Sequence, residues 1–376
     1  MLFRTPSLTA EDRAVIERID VIRRRLSYAL STPQRWDGFL RRDALARAIR
    51  GSNTIEGYDV TLDDAAAAVD HDDPVAAAPD SWAAVTGYRD ALSYILRLAG
   101  DPSFKYDEGL IRGLHYMILR HVPAKRPGQW RAGPVHVVDE RRGVVVYVGP
   151  DADHVPELMV ALVAALGRPD DGTPTMVQAA MAHLNLAMIH PFADGNGRMA
   201  RALQTLVLTQ DGIVSPVFSS IEEYLGRFQD DYYAVLTEVG GGAWQPARDA
   251  RPWVRFCLTA HYRCARDFLH RTKEMEIVWN AVESIRRDLD APERVEPALV
   301  MAAFGRRLRN ATYRTAAEVS FQVASKDLRR LVAAGLLEAR GERRGRVYVG
   351  SNRLTAIRNA VRQPRTTENP FEPAAE

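Results

Sequence analysis

The residues best suited to chemistry lie close together, in the run HPFADGNGRMAR that begins at His190. Gly195 and Gly197 flank Asn196, so the backbone N–H groups of this loop can converge on one point. Helical spacing of apolar residues resumes near Arg198, which predicts a helix directly behind the loop. A glycine-rich loop in front of a helix N-terminus is a binding site for an anion, and above all for a phosphate.

Four side chains of the same run could act on a bound phosphate. Arg198 and Arg201 are three residues apart and therefore share one face of the first helical turn, where each guanidinium can hold phosphate oxygens. Asp194 offers a carboxylate oxygen of the kind that Mg²⁺ takes together with substrate phosphates. His190 is a base that could accept the proton of a hydroxyl. The residues predict attack on a nucleotide phosphate; the alternative is an ordinary interhelical loop.

This run resembles the signature of the Fic family, HPFx[DE]GNGRxxR, and matches it at every fixed position. The resemblance extends over residues 85–260 and includes PGQWR at 127–131 and YVGPDADHVPELM at 147–159. It implies an enzyme that uses ATP and Mg²⁺ and transfers AMP to a Ser, Thr or Tyr hydroxyl of a target protein, with release of pyrophosphate.

The resemblance also implies a role for each residue of the run. His190 would be the general base, Asp194 would bind Mg²⁺, and Phe192 would anchor the loop in the core. The residues that would bind the nucleotide are Phe192, Gly195, Asn196, Gly197, Arg198 and Arg201.

A second motif, SNTIEG, begins at Ser52. By itself it reads as a helix interrupted by Gly51 and Gly57, and Glu56 could be a surface carboxylate in solvent. It resembles the inhibitory motif of Fic proteins, [ST]xxxE[GN], with Ser52, Glu56 and Gly57 in register. The resemblance implies that Glu56 pairs with Arg201 and makes ATP bind unproductively. In some family members the same glutamate supports removal of AMP.

The elements that must position these residues read mostly as helices. Helical patterns cover 9–30, 38–50, 82–98, 107–121, 155–166, 174–189, 197–210, 219–238 and 251–288. PVHVV and GVVVYVG, on either side of the polar turn DERR, predict a β-hairpin. The resemblance implies that this hairpin, 134–148, holds the target segment by strand addition; the alternative is a purely structural hairpin.

The composition changes after about residue 290, where arginine becomes frequent. Residues 314–337 have the spacing of a helix-turn-helix, and 336–350 read as a two-stranded wing. Residues 306–346 hold eleven Lys or Arg against four Asp or Glu, a net charge of +7, which suits DNA. A winged helix can equally dock a protein or form a dimer.

We therefore predict a mainly α fold, with a Fic-type helical bundle, a β-hairpin flap and a C-terminal winged-helix domain. The expected domains are an N-terminal helical region with the inhibitory motif at 1–80, the catalytic domain at 81–265, a linker helix and winged helix at 266–355, and a disordered tail at 356–376.

Composition limits the partners and the cellular compartment that we expect for this protein. The formal net charge of +2 is too small to imply a nucleic-acid or membrane partner for the whole protein, and no run of eighteen apolar residues exists. The N-terminus lacks the apolar segment of a signal peptide. Cys257 and Cys264 lie about two helical turns, roughly 10 Å, apart, which is beyond disulfide reach. We expect a cytoplasmic protein.

Two classes of function stay open. The first is the AMP-transferring enzyme, with removal of AMP or transfer of phosphate, UMP or phosphocholine as variants; the form of Gly195–Asn196–Gly197 favours AMP. The second is a transcriptional regulator that senses a nucleotide and binds DNA through 306–346. The sequence does not name the target protein, and it leaves a homodimer open. Other histidines, such as His115, His121 and His183, read as structural.

Overall fold

The computed structural model describes residues 1–139, 142–168, 172–210, 212–213, 215–342 and 346–372. The helices are α1 (Ala10–Ala29), α2 (Asp37–Ile55), α3 (Leu62–Val69), α4 (Pro79–Arg97), α5 (Glu108–Leu119), α6 (Val155–Gly167), α7 (Thr175–Ile189), α8 (Asn196–Leu208), α9 (Glu222–Arg227), α10 (Gln229–Gly240), α11 (Arg251–Asp288), α12 (Glu296–Ala303), α13 (Asn310–Ala317), α14 (Phe321–Ala333) and α15 (Asn352–Val361). The strands are β1 (His136–Asp139), β2 (Val144–Val148), β3 (Leu337–Arg340) and β4 (Val347–Gly350). The prediction of a mainly α fold is confirmed.

Helix α7 lies at the centre of the larger core. Almost all of its side chains are buried, as the absence of a polar face in its sequence predicts. It packs against α8 on one side and against α6 and α11 on others, and the indole N–H of Trp253 on α11 donates to the Ala180 carbonyl at 2.7 Å. The same core takes in buried residues from Phe3 to Tyr262, so the N-terminal helices share it with the segment that carries the phosphate loop.

Helix α2 is longer than predicted and does not break at Gly51. A Cβ at Gly51 would lie 2.4 Å from the Glu222 carbonyl oxygen, and a Cβ at Gly226 would lie 2.8 Å from Gly51 Cα. Glycine is therefore needed here for close approach of α2 to α9, and the expected interruption at Gly51 is wrong. The helix ends before Gly57, whose φ of +81° is in the left-handed region that favours glycine.

The hairpin forms where it was predicted. Strands β1 and β2 pair antiparallel, with His136 opposite Val148 and an irregularity in the register between Val137 and Val138. The far side of β2 is bridged to residue 243, because the Val148 N–H donates to the Gly242 carbonyl at 3.0 Å. Strand β1 is thus the outer strand. Two of the predicted turn residues, 140 and 141, lie outside the described residues.

The C-terminal elements follow the order expected of a helix-turn-helix with a wing. The Ser320 hydroxyl accepts from the Val323 N–H at the start of α14, and Gly335, with φ +68°, follows its end. Strands β3 and β4 then pair antiparallel. The predicted wing tip, 343–345, lies outside the described residues, and the winged-helix assignment stays a prediction.

A second core joins these C-terminal elements to the first helices. It contains buried residues of α12, α14 and α15 together with Leu26, Trp36 and Phe39. The Arg306 guanidinium, 5% exposed, donates to Asp43 Oδ1 of α2 at 2.5 Å and to the Leu62 carbonyl at 2.6 Å. Both ends of α2 are therefore held by other parts of the chain.

The C-terminal segment differs from the disordered tail that its composition predicted. Helix α15 runs to Val361, and the residues after it lie along α1 and α11. The Glu368 carboxylate accepts from Arg18 at 2.6 Å, from Tyr262 at 2.8 Å and from Arg266. This cluster of cations gives the acidic segment a binding partner within the chain, which composition cannot show. Residues 373–376 lie outside the described residues.

No helix in the described part of the chain is long and apolar enough to cross a membrane.

Gly51→Ala tests the close approach of α2 and α9. We expect a loss of about 1–3 kcal/mol in the free energy of unfolding, because a methyl group would overlap a backbone carbonyl that cannot move aside. Urea unfolding measures it. Gly113→Ala in α5 is the matched control: nothing lies within 4 Å of its Cβ position, so a gain of about 0.5–1 kcal/mol is expected. Equal effects in both variants would contradict the close-approach interpretation.

Candidate active site

The loop from His190 to Gly195, called the phosphate loop because the sequence predicts that it binds phosphate, connects α7 to α8. His190 ends α7 in the left-handed conformation, with φ +52°, and Gly195, with φ +74°, precedes α8. At the start of α8, the Met199 N–H donates to the Gly195 carbonyl at 2.9 Å. The N–H groups at the start of a helix have no partner within it. Those of Asn196, Gly197 and Arg198 are therefore placed to bind an anion.

Asn196 holds the loop in shape by bonding both ways to one residue. Its side-chain oxygen accepts from the Phe192 N–H and its amide donates to the Phe192 carbonyl, each at 2.9 Å. The Phe192 ring is fully buried. It stacks on His115 with ring centroids 3.6 Å apart, and lies 4.9 Å from Trp130.

Arg131 fixes the start of the loop from outside. Its Nε–H donates to the His190 carbonyl at 2.9 Å, and its backbone N–H donates to the Pro191 carbonyl at 2.9 Å. A further N–H donates to the Gly133 carbonyl at 2.7 Å. The left-handed conformation of His190 is thus supported by bonds on both carbonyls of the His190–Pro191 pair.

His190 is arranged as a base. Its Nδ1 lies 3.1 Å from the Ala187 carbonyl, which can only accept, so Nδ1 carries the hydrogen. Nε2 of the neutral ring is then left as an acceptor. Burial lowers the pKa of His190 below its ordinary 6.5, which favours the neutral ring.

Both arginines of the run are buried, at 1% exposure each. Nε and Nη1 of Arg198, and Nη1 of Arg201, have no hydrogen-bond partner among the described residues. The Arg198 guanidinium also lies 5.1 Å from the centre of the Tyr58 ring. Buried donors without partners are costly, so their presence beside a helix N-terminus points to an anionic ligand.

Glu56 occupies this anion position in the structure. Its Oε1 lies 2.6 Å from Arg201 Nη2, and the same oxygen would be only 2.5 Å from a Cβ at Gly197. Arg201 also donates to the Ser52 hydroxyl at 2.7 Å and to the Ser52 carbonyl at 3.0 Å. The segment from Ser52 to Glu56 is thus brought onto the start of α8, and its carboxylate lies where the loop could bind an anion.

The chemistry of this contact is set by charge. Burial alone would raise the pKa of Glu56, but Arg201 and Arg198 hold it below its usual value, so the carboxylate is ionised. Glu56 is the C-cap residue of α2, where a negative charge meets the negative end of the helix dipole. Gln229 and Tyr233 donate to the Ile55 carbonyl at 3.1 and 3.3 Å, and these hydrogen bonds offset part of the negative charge at the end of the helix.

Asp194 is the residue of the run that could hold a metal. Its Oδ1 accepts from the Gly195 N–H at 2.6 Å, and Lys125 Nζ lies 3.9 Å from its Oδ2. Its side chain is 38% exposed. Within the described ranges, no group of three or more His, Cys, Asp or Glu side chains could hold a metal by itself. A single carboxylate fits Mg²⁺, which completes its shell with water and substrate phosphates.

Residues 105–208 match the model of the Fic/DOC family. The part of the chain that carries the loop from His190 to Arg201 is therefore similar to Fic domains. It is 29% identical over 238 residues to the protein adenylyltransferase Fic of Nematostella vectensis, covering 61% of this chain and 50% of that relative. It is 35% identical over 120 residues to the protein adenylyltransferase fic-1 of Caenorhabditis briggsae, covering 31% of this chain and 21% of that relative. The chain spans about half the length of the first relative and less of the second.

Solved structures show the same fold. A Fic family protein from Desulfovibrio desulfuricans superposes with a TM-score of 0.60 at 24% identity, covering 93% of this chain and 98% of that chain. Fic-1 from C. elegans superposes with a TM-score of 0.54 at 22% identity, covering 70% of this chain and 73% of that chain. The resemblance to Fic proteins is confirmed.

Sequence reasoning missed Glu222, a buried glutamate that lies between α4 and α8. Its carboxylate accepts from the Tyr88 hydroxyl at 2.8 Å and from the Thr205 hydroxyl at 3.1 Å. Burial raises the pKa of Glu222 to about 7, although Arg201 lowers it in part. Glu223 beside it forms an ion pair with Arg271 at 2.8 Å. Nothing in the sequence IEEYL distinguishes the two glutamates; fold-level contacts do. His115 and Arg131 were also not recognised as loop-bearing residues.

Glu222→Gln is expected to stabilise the protein above neutral pH. With a native pKa of about 7 against the ordinary 4.5, Glu222 keeps a proton in the native state that it loses on unfolding, so wild-type stability falls as pH rises through this window. The variant has no such loss. Its advantage in the free energy of unfolding should be absent near pH 4.5 and complete at pH 8, measured by urea unfolding.

Glu223→Gln is the matched neighbour with the opposite sign. Burial alone would raise the pKa of Glu223, but Arg271 and Arg47 hold it at about 2, so its contribution is present above pH 4.5 and is lost as pH falls toward 2. This variant should be destabilised at pH 8. A difference between Glu222→Gln and wild type that does not change with pH would contradict the assignment.

Proposed function

We propose that the chain transfers AMP from ATP to a Ser, Thr or Tyr hydroxyl of a target protein. The observation that carries the proposal is the Glu56 carboxylate, held by Arg201 over the N-terminus of α8, where a phosphate would bind. The unpartnered donors of Arg198 and the acceptor nitrogen of His190 belong to the same loop. Relatives named protein adenylyltransferases support the same activity.

In the proposed reaction the nucleotide phosphates bind the N–H groups at the start of α8 together with Arg198 and Arg201. His190 Nε2 accepts the proton of the target hydroxyl. The hydroxyl oxygen bonds to the α-phosphorus of ATP, the bond from that phosphorus to the bridging oxygen breaks, and pyrophosphate leaves. Positioning and charge neutralisation supply most of the rate. Asp194 would hold Mg²⁺, which neutralises phosphate charge when bound.

The brake in this proposal is Glu56. An ionised carboxylate that already satisfies Arg201 competes with the γ-phosphate for the same guanidinium. ATP can then enter only in a displaced position, with its α-phosphate out of line with the target hydroxyl. Removing Glu56 would leave Arg201 oriented by its hydrogen bonds to Ser52. The guanidinium hydrogen that now bonds Glu56 could then bind the phosphate.

The target segment is proposed to pair with the outer strand β1. Val138, Val144 and Val145 of the hairpin are about half exposed, at 46%, 48% and 54%, which is unusual for valine. An added strand would gain main-chain hydrogen bonds and cover this apolar surface.

We also propose that the protein acts in the cytoplasm, in keeping with Cys257 and Cys264 as free thiols.

Label transfer tests the activity and the brake together. Wild type, Glu56→Gly and His190→Ala are incubated with Mg²⁺, cell lysate and ATP labelled at the α- or γ-phosphate. Label from the α-position alone is expected, strongest in Glu56→Gly. His190→Ala should lose roughly 10²- to 10⁴-fold in rate, the contribution of a general base, while it still binds nucleotide.

Glu56→Gln is the matched control, because it keeps the size of the side chain without its charge. Activity between wild type and Glu56→Gly is expected if charge pairing is the brake. Equal turnover in wild type and Glu56→Gly would contradict the brake. Label from the γ-position would replace AMP transfer with phosphate transfer.

A second function, DNA binding, is favoured by one surface of α14. Gln322, Lys326 and Arg329 are exposed at spacings of four and three residues and so share one face of this helix. Arg306 and Arg330, by contrast, are bound to acceptors elsewhere in the chain. We propose that α14, rather than the whole of 306–346, makes the phosphate contacts. A regulator that senses nucleotide and transfers no AMP would use the same surface.

Lys326→Ala and Arg329→Ala should each weaken binding to random duplex DNA and reduce the slope of log affinity against log salt by about 1. Fluorescence anisotropy at several salt concentrations measures both. Arg353→Ala, which removes the same charge from the exposed surface of α15, is the control and should change neither. A flat salt response of the wild type would favour protein docking instead. No label transfer by any variant, together with DNA binding, would favour the regulator.

A further inference from the structure

His115 lies on α5 and contacts the phosphate loop at two places and the segment before the hairpin at a third. Its side chain is fully buried. Nδ1 is 2.8 Å from the Gly128 nitrogen, and Nε2 is 2.9 Å from the Asp194 carbonyl oxygen. Its ring stacks on Phe192 at an interplanar angle of 6°. One imidazole therefore contacts the segment before the hairpin, the anchor of the loop and the backbone of the proposed metal ligand.

The two hydrogen bonds determine which nitrogen carries the hydrogen. The Gly128 N–H can only donate, so Nδ1 must accept. The Asp194 carbonyl can only accept, so Nε2 must donate. Only the neutral ring with hydrogen on Nε2 satisfies both partners at once.

The bond to Asp194 fixes a peptide plane. A peptide bond is planar and trans, so its carbonyl and the next N–H point in opposite directions. With the Asp194 carbonyl held toward α5, the Gly195 N–H must point the other way, and there it donates to Asp194 Oδ1 at 2.6 Å. His115 thus orients the Asp194 carboxylate through the Asp194–Gly195 peptide. A Cβ at Gly195 would be 3.3 Å from Nε2, so the ring also packs tightly against the left-handed glycine.

We propose that His115 is a positioning residue: its Nε2–H sets the plane of the Asp194–Gly195 peptide, and with it the direction of the Asp194 carboxylate. This inference rests on the proposed function. It concerns His115, which the proposed reaction does not place in contact with ATP or with the target.

His115→Phe and His115→Gln separate positioning from packing. Phenylalanine keeps a flat ring against Phe192 but loses both hydrogen bonds, whereas glutamine keeps a donor that can reach the Asp194 carbonyl. In the Glu56→Gly background, His115→Phe should lose about 10- to 100-fold in kcat, the usual cost of losing a supporting contact of a ligand. The Mg²⁺ concentration for half-maximal rate should rise by a similar factor, and His115→Gln should recover part of both.

Two measurements do not depend on turnover. In His115→Phe, the ATP affinity measured by calorimetry without Mg²⁺ should be nearly unchanged, whereas the Mg²⁺ concentration that enhances it should rise by about 10- to 100-fold. Hydrogen exchange of the peptide that covers 190–199 should become faster in the same variant. His261→Phe on α11 is the control, because His261 is also buried, at 5% exposure, and has one ring nitrogen without a partner among the described residues.

The outcomes are distinct. A higher Mg²⁺ concentration for half-maximal rate and faster hydrogen exchange of 190–199 in His115→Phe, with neither change in His261→Phe, support the positioning role. Unchanged Mg²⁺ dependence in a folded His115→Phe, or equal losses in both variants, overturns it. If Glu56→Gly itself transfers no AMP, the proposed function fails, while Mg²⁺-dependent ATP binding and hydrogen exchange still decide the role of His115.

Discussion

Arg201 carries a permanent positive charge at 1% exposure, in the middle of a helical core. Taking such a charge out of water costs several kcal/mol unless it is paired and hydrogen-bonded. The fold meets this cost with the carbonyl and hydroxyl of Ser52 and the carboxylate of Glu56, all from α2 or its C-cap. Under the proposed function, the guanidinium that Ser52 and Glu56 satisfy in the resting structure is also the one that holds a phosphate. A bound phosphate and Glu56 are alternative answers to one electrostatic requirement.

The position of α2 follows from this requirement and from close packing. Its glycine at 51 lets it approach α9 to backbone distance, so that Ser52 and Glu56 reach Arg201. At its end, donors from α10 hold the Ile55 carbonyl. The phosphate loop is also constrained, because Arg131 bonds to its His190 carbonyl and His115 to its Asp194 carbonyl. The end of α2 and the loop in front of α8 are thus each held by hydrogen bonds from neighbouring elements.

What the sequence could predict depended on how local the signal was. The Fic loop is local: His190 to Arg201 are contiguous, and helix ends, glycines and charges can be placed from twelve residues alone. The pairing of Glu56 with Arg201 spans 145 positions and came only through the family motif. Gly51 was misread because a glycine inside a helix can break it or permit close contact, and only the partner helix decides.

The acidic residues show the same limit. Glu222 and Glu223 are adjacent in sequence, yet burial raises the pKa of Glu222 to about 7 while Arg271 and Arg47 hold the pKa of Glu223 at about 2, because their neighbours from distant helices differ. The net charge of +7 over 306–346 was likewise a poor guide to a free surface. Arg306 is buried against Asp43, and Arg330 binds carbonyls at the end of α11. Charge counted along a chain does not distinguish structural from available cations.

The buried Arg306 makes the C-terminal module part of the support of α2 rather than an appendage. A chain shortened before residue 290 would leave Asp43, a carboxylate whose pKa Arg47 and Arg306 hold well below its usual range despite burial, beside an apolar surface stripped of its cover. Helix α2 would then lose the Arg306 contact in its first half and keep its contacts with α9 and with Arg201. Under the proposed function, the shortened chain would hold the Glu56 carboxylate less firmly than the full chain does, because Asp43 and the residue before Glu56 lie on the same unbroken helix.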